Sequence, residues 1–169
     1  IGFYGMGTQA VEDRMRRLVP DVGILRWDRD SVRYPKDYYA MMRRFRSGEA
    51  RILIGTQMIA KGLDFPDVTL VGVVSADVGL NIPDYRANER AFQVLTQVAG
   101  RAGRRAQRGN VIIQTYQPEH YAIKAAASQN YKSFYLREVE FRRKHGHPPF
   151  ARYIRLLNTH TNQTTCEQN

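Results

Sequence analysis

The octapeptide QVAGRAGR, Gln97 to Arg104, sets Gln97, Arg101 and Arg104 at i, i+4 and i+7, a spacing that turns all three the same way on a helix. At about 100° per residue their directions span roughly 60°. Two guanidinium forks and an amide on one side suit phosphate oxygens, and Gly100 beside them has no side chain to block close approach. Glycine inside a helix costs about 1 kcal/mol against alanine, so Gly100 and Gly103 argue that something comes close to the backbone there. On this octapeptide alone a solvated basic helix remains an equal reading.

A second block, GTQMIAKGLDFPDV from Gly55 to Val68, begins where the apolar run RILI ends. In parallel sheets ligands gather at the carboxyl ends of strands, so a loop leaving such a strand is a natural place for active-site groups. Gly55 and Gly62 permit tight backbone approach, Thr56 offers a hydroxyl and an N–H to a phosphate, and Lys61 adds a point charge. Asp64 repels phosphate. It suits a hydrogen bond from a ribose hydroxyl, a basic side chain or a backbone N–H across an interface, or else a turn before Phe65-Pro66.

Elements that could position these blocks follow from the hydrophobic periodicity. Short apolar runs alternate with helical patterns, the mark of an α/β fold with a parallel sheet flanked by helices. Thr8 is placed to cap a helix with apolar positions Val11, Met15, Leu18 and Val19, stopped by Pro20. Strands are expected near 22–27, 51–55, 69–75 and 110–115, with a helix from Tyr38 to Arg46 ending at Gly48 and a long one after Asp84 through Phe92, Leu95 and Val98. Beyond Pro118 two helical segments follow, about 119–128 and 131–145, ending at His147-Pro148-Pro149. Ala151 to Leu157 alternates enough to predict a strand, and the polar tail after it is expected to fray.

The chain has 169 residues, 43% of them hydrophobic, enough for one sizeable core in a soluble globular body. Lys and Arg number 26 against 16 Asp and Glu, a net charge of +10 carried mostly by arginine, which makes nucleic acid or a nucleotide the default partner. The single cysteine, Cys166, excludes an internal disulfide and a cysteine-based zinc cluster within these residues, and fits a reducing cytoplasm. No apolar run approaches the ~20 residues of a membrane span. The opening IGFYGMGTQ lacks signal-peptide features, and it reads as though cut from something longer.

Other chemistry-bearing residues have simpler readings. His120, His145, His147 and His160 share no metal-ligand spacing and are expected on the surface or in packing. Tyr34, Tyr38 and Tyr39 could stack on bases but are expected in the core, and Arg142-Arg143-Lys144 is expected to be a solvated helix end. Asp28 and Asp30 read as structural, while Asp77 and Glu89 are candidates to pair with the arginines of QVAGRAGR.

The two blocks with a strand between them resemble motifs V and VI of superfamily 2 helicases. More specifically, GTQMIAKGLDFPDVTLVGVVSAD, then PDYRANERAFQVLTQVAGRAGR, then HPPF, is similar to the second motor lobe of the primosomal replication-restart DNA helicases of the PriA type, over roughly Gly5 to Leu157. The resemblance implies that Arg101 and Arg104 reach ATP held on the opposite lobe, Arg104 being the finger on the γ-phosphate, with Gln97 orienting the nucleotide or attacking water. It implies Thr56 and Lys61 near the tracked DNA strand, and Gly62 and Asp64 linking the DNA site to the nucleotide cleft; Gly62, Asp64 and Gly100 are the expected nucleotide-binding positions. Neither a G-x-x-x-x-G-K-S/T loop nor a D-E-x-H-type segment occurs, so ATP and Mg are expected to be bound mainly by a first lobe, and this piece alone is expected to be inactive. The family's zinc module would precede Ile1, so zinc is expected in the intact protein and no metal here.

The resulting expectation is a RecA-like helicase C-terminal lobe over residues 1–117, incomplete at its start, a helical linker over 118–148, and the start of a small C-terminal domain over 149–169. Its implied partners are single-stranded and forked DNA, the first helicase lobe of the same chain, primosome proteins and single-stranded DNA-binding protein, in the bacterial cytoplasm and without a membrane. The rival readings are a lobe of another superfamily 2 DNA or RNA helicase, including a branch-migration enzyme, and a non-catalytic nucleic-acid-binding module whose basic face merely holds phosphates.

Overall fold

The computed structural model describes residues 7–28, 35–56, 67–100 and 109–154. In chain order these form α1 (Thr8–Leu18), β1 (Ile24–Trp27), α2 (Pro35–Arg46), β2 (Ile52–Gly55), β3 (Leu70–Val73), the single turn α3 (Asp77–Leu80), α4 (Ala87–Ala99), β4 (Asn110–Ile113), α5 (Tyr121–Ala127) and α6 (Tyr131–Lys144). Strands β1 and β2 pair in parallel from Ile24 opposite Ile52 to Trp27 opposite Gly55, and β3 and β4 do so from Leu70 opposite Asn110 to Val73 opposite Ile113. Parallel neighbours need a crossover, which α2 supplies for the first pair and α3 with α4 for the second. Among the described residues the ladder hydrogen bonds join the strands as these two pairs. Mixed helices and parallel strands are the architecture of a RecA-like lobe.

Strand β1 is buried almost throughout, as an apolar run in a parallel sheet must be: Ile24, Leu25 and Trp27 lie inside, and Trp27 is 1% exposed. Tyr38 of α2 meets the Trp27 ring edge-on, with centroids 5.0 Å apart. Its neighbour Tyr39 turns outward and is 71% exposed, contrary to the core placement expected of it. Entry into β1 depends on close backbone approach. A Cβ at Gly23 would stand 2.3 Å from the Glu49 carbonyl oxygen, while the Gly23 carbonyl accepts hydrogen bonds from the Arg51 and Ile52 N–H groups and so fixes the register with β2. Helix α2 stops where the sequence indicates, because Gly48 adopts φ +79°, a left-handed conformation that other residues resist.

The largest core cluster lies under the second strand pair. Ala76, Phe92, Leu95, Ala122, Ile123, Ala125, Ala126 and Phe134 form it, with Val73, Leu80, Ile113 and Tyr121 packed at its edge. Three alanines on α5 let α4 approach closely, and Phe92 stacks on Phe134 of α6 with centroids 4.1 Å apart and planes 6° from parallel. Helices α5 and α6, which the sequence suggested as a linker, therefore share a core with α4. The opposite face of the β3–β4 pair is open, with Leu70 58% and Ile112 62% exposed.

Two sequence expectations fail locally. Gly7, not Thr8, caps α1, and the Thr8 hydroxyl instead donates to Asp28 Oδ2 at 2.6 Å, tying the helix start to the exit of β1. No strand forms over 151–154, where Ile154 is 89% exposed; the rest of that expected strand, 155–157, lies outside the described residues. Alternation alone does not make a strand without a partner to accept its hydrogen bonds.

Helix α5 is capped by a titratable group, since His120 Nδ1 accepts from the Ala122 N–H at 3.2 Å and must be unprotonated to do so. Burial lowers the His120 pKa, against the opposing charges of Glu138 and Asp77. A depressed folded pKa contributes stability that is complete above the unfolded value, about 6.5, and is lost as pH falls through the folded one. The melting temperature is accordingly expected to be lower at about pH 5.5 than at about pH 7.5, with His120→Asn, a cap that does not titrate, narrowing the gap. An equal gap in parent and variant would remove His120 as its cause.

Candidate functional site

The register of the first strand pair sends Asp28 and Thr56 out at the same carboxyl edge, directly after Trp27 and Gly55. Thr56 is exposed there, at the start of the second sequence block. Asp28 is buried, receives the Thr8 hydroxyl, and lies 3.3 Å from Arg26 Nε, which also stands 3.4 Å from Glu12 Oε2. This cluster joins α1 to β1, in keeping with the structural reading of Asp28.

At the carboxyl edge of the second pair, Asp77 is the corresponding buried carboxylate. It accepts from the Thr115 hydroxyl at 2.9 Å and from the Tyr116 N–H at 3.1 Å, so it holds the chain as it leaves β4. Its described partners are thus on the β4 exit. Glu89, the other candidate for the arginines of QVAGRAGR, pairs with Arg142 at 2.7 Å and accepts from Gln93 at 3.2 Å.

Helix α4 carries the start of QVAGRAGR. The Asp84 carboxylate prepares its entry, accepting from the Arg86 N–H at 2.9 Å and pairing with Arg90 at 2.9 Å; the Arg86 N–H is the chief reason its pKa falls below the usual carboxylate value. Ala87, Ala91, Phe92 and Leu95 face the core, and Gln97 is half-buried in the last turn. Gly100 caps the helix, its N–H donating to the Thr96 carbonyl at 3.0 Å, and is exposed. Among the described residues a Cβ there would meet the Thr96 and Gln97 carbonyl oxygens at 3.4 and 3.6 Å. Lys61, Gly62, Asp64, Arg101 and Arg104 lie outside the described residues.

The described surface carries concavities away from the sequence blocks. One of about 490 Å³ is lined by Tyr39, Met42, Arg43, Arg46 and Ser47, and one of about 480 Å³ lies between the α3–α4 loop and the end of α6. Neither is lined by Thr56, Gln97 or Gly100. Among the described residues no group of three His, Cys, Asp or Glu is placed to hold a metal ion, and no helix is long and apolar enough to cross a membrane.

Sequence reasoning missed Arg142. Far from being a solvated helix end, its side chain is 13% exposed and donates to Glu138 Oε1 and Glu89 Oε2, both at 2.7 Å, and to the Pro148 carbonyl at 3.3 Å, with its guanidinium over the Tyr85 ring. Burial alone would lower its pKa, but the hydrogen bonds and charges of Glu138 and Glu89 outweigh that and raise it. Glu138 Oε2 also accepts from the Tyr121 hydroxyl at 2.6 Å, and Asn88 donates to that hydroxyl at 2.7 Å. Burial, then the Glu138 carboxylate, pushes the Tyr121 pKa up. The i, i+4 order of Glu138 before Arg142 was a readable signal; the link to Glu89 was not.

Residues 33–106, which hold both sequence blocks, match the helicase conserved C-terminal domain family. The chain is 49% identical over 157 residues to replication restart protein PriA of Bacillus subtilis, covering 93% of this chain and 19% of that relative. It is 45% identical over 166 residues to the protein of that name from Synechocystis sp. and 41% over 155 residues to that from Chlamydia pneumoniae, covering 98% and 92% of this chain. With parallel strands, flanking helices and the helicase match over residues 33–106, the chain is a helicase C-terminal lobe. It belongs to the family of the replication restart protein PriA, and spans about a fifth of the length of the relatives it matches.

Proposed function

We propose that this lobe forms the second half of the motor of an ATP-dependent DNA helicase that restarts replication at stalled or repaired forks. Arg104, with Arg101 beside it, stabilises charge on the transferring phosphoryl group of ATP bound by a first lobe, and Gln97 orients the nucleotide or the attacking water. The arginines act only when the lobes close. Thr56 and Lys61 contact the tracked single strand, Gly62 and Asp64 connect that contact to the nucleotide cleft, and Gly100 lets the nucleotide come close, so that hydrolysis becomes stepping along DNA. ATP and Mg are held mainly by the first lobe, zinc belongs to another part of the intact protein, and primosome proteins and single-stranded DNA-binding protein are the partners in a bacterial cytoplasm.

The observation that supports this reading best is the helicase match over residues 33–106, which takes in both the sequence block that starts at the end of β2 and the end of α4. The +10 net charge, mostly arginine, suits a phosphate-rich partner. ATP hydrolysis by the intact protein, measured with single-stranded DNA, forked DNA and RNA of equal length, tests it. Stimulation by DNA, greatest with forks, is expected; equal stimulation by RNA would favour another superfamily 2 motor.

A further inference from the structure

The side chain of Arg142 gathers three separate parts of the chain: the start of α4 through Glu89 and Tyr85, α6 through Glu138, and the following turn through the Pro148 carbonyl. A second link runs alongside, from Asn88 through the Tyr121 hydroxyl to Glu138. Both links grip the first turn of α4, whereas Gln97 and Gly100 stand at its other end. A helix is a stiff rod, and the ~12 Å from Glu89 to Gln97 at 1.5 Å per residue passes any slide or rotation at one end to the other. The aromatic and aliphatic contacts of Phe92 and Leu95 hold α4 against α5 and α6 and contribute to its axial position. A planar guanidinium fork bound to acceptors on three segments sets it tightly.

We propose that the Arg142–Glu89 ion pair is a positioning device for ATP hydrolysis, aligning α4 so that the arginines following Gly100 meet the phosphate. This inference rests on the proposed motor function and goes beyond it by assigning a role to two residues outside both helicase blocks. Arg142 and Glu89 are positioning residues, since they act through Arg104 and touch no substrate.

The test uses the intact protein and begins with Glu89→Ala, which removes the α4 acceptor while leaving Arg142 paired with Glu138, so that the fold is retained. A misplacement of about 1 Å costs on the order of 10²-fold, and kcat is expected to fall roughly 10- to 100-fold with KM for ATP and affinity for single-stranded DNA within about twofold of the parent. Arg142→Lys, which keeps the charge but loses the fork, is expected to fall similarly. In an Arg104→Ala background Glu89→Ala should cost nothing further, because the device acts through the finger. A merely structural role would lower activity in both backgrounds, in step with the folded fraction measured by circular dichroism, and would overturn the inference. So would an unchanged kcat in Glu89→Ala. If Arg104→Ala leaves kcat intact, the motor assignment fails; if Arg104→Ala lowers kcat as expected while Glu89→Ala does not, only the positioning role fails.

Discussion

Replacing Arg104 with alanine in the intact protein is expected to lower DNA-stimulated ATP hydrolysis by about 10³ to 10⁵-fold, the range an arginine finger contributes to phosphoryl transfer. The physical reason is charge. As the γ-phosphoryl group departs, negative charge spreads over its oxygens in a cleft where water is scarce, and a guanidinium already in place stabilises that charge without reorganising. Since the interaction is made in the transition state, kcat should carry nearly all of the loss. DNA affinity should barely move, because in the proposed motor the strand is gripped by other groups, Thr56 and Lys61 among them. Steady-state hydrolysis and fluorescence-anisotropy titration of a labelled single strand measure the two quantities separately. A variant that hydrolyses ATP as the parent does, or that loses DNA binding in proportion to activity, would refute the finger and favour a phosphate-holding basic face.

The second large effect concerns stability and comes from the centre of the α4–α5–α6 core. Phe92 is 5% exposed and stacked on Phe134, itself 4% exposed, against a wall of Ala122, Ala125 and Ala126. Phe92→Ala should destabilise the lobe by about 3–5 kcal/mol, near the top of the range for such changes, because alanines cannot reorient to fill the space a ring leaves. For a domain of this size the melting temperature should fall by on the order of 10 °C. Leu70→Ala, on the open face of the β3–β4 pair and 58% exposed, should change stability by less than about 0.5 kcal/mol. Urea titration of both variants checks the contrast, and a Phe92→Ala cost below about 1 kcal/mol would mean that this core does not carry the lobe.

Much of this architecture was legible because it rests on local regularities. The runs RILI and NVII lack interior polar residues and became parallel strands, Gly48 ended α2 where a left-handed residue was needed, and Asp84 stood ahead of α4 in position to accept its first N–H groups. The helices about Tyr121 and Tyr131 were readable for the same reason. What escaped was tertiary choice. The Thr8 hydroxyl had a capping role open to it, but the carboxylate of Asp28, twenty positions away, took it instead. Tyr38 and Tyr39 are alike in sequence, yet successive helical residues point about 100° apart, so one ring met Trp27 and the other met solvent. Arg142 looked like any cation at a helix end until Glu89, 53 positions earlier, was folded against it. For the site, spacing brought out Gln97, Arg101 and Arg104 as a set on one helix face, but α4 ends at Ala99 with Gly100 as its cap rather than inside it, so of that set Gln97 alone lies on the described helix.

The central claim is that Arg104 completes a triphosphate pocket supplied by another lobe. The most direct measurement is a structure of the intact protein with forked DNA, ADP, magnesium and aluminium fluoride, the fluoride standing for the phosphoryl group in flight. An Arg104 guanidinium nitrogen is expected within about 3.2 Å of that fluoride, reaching it from the lobe that carries α4. Arg104 directed into its own lobe, with the fluoride enclosed by other side chains, would contradict it.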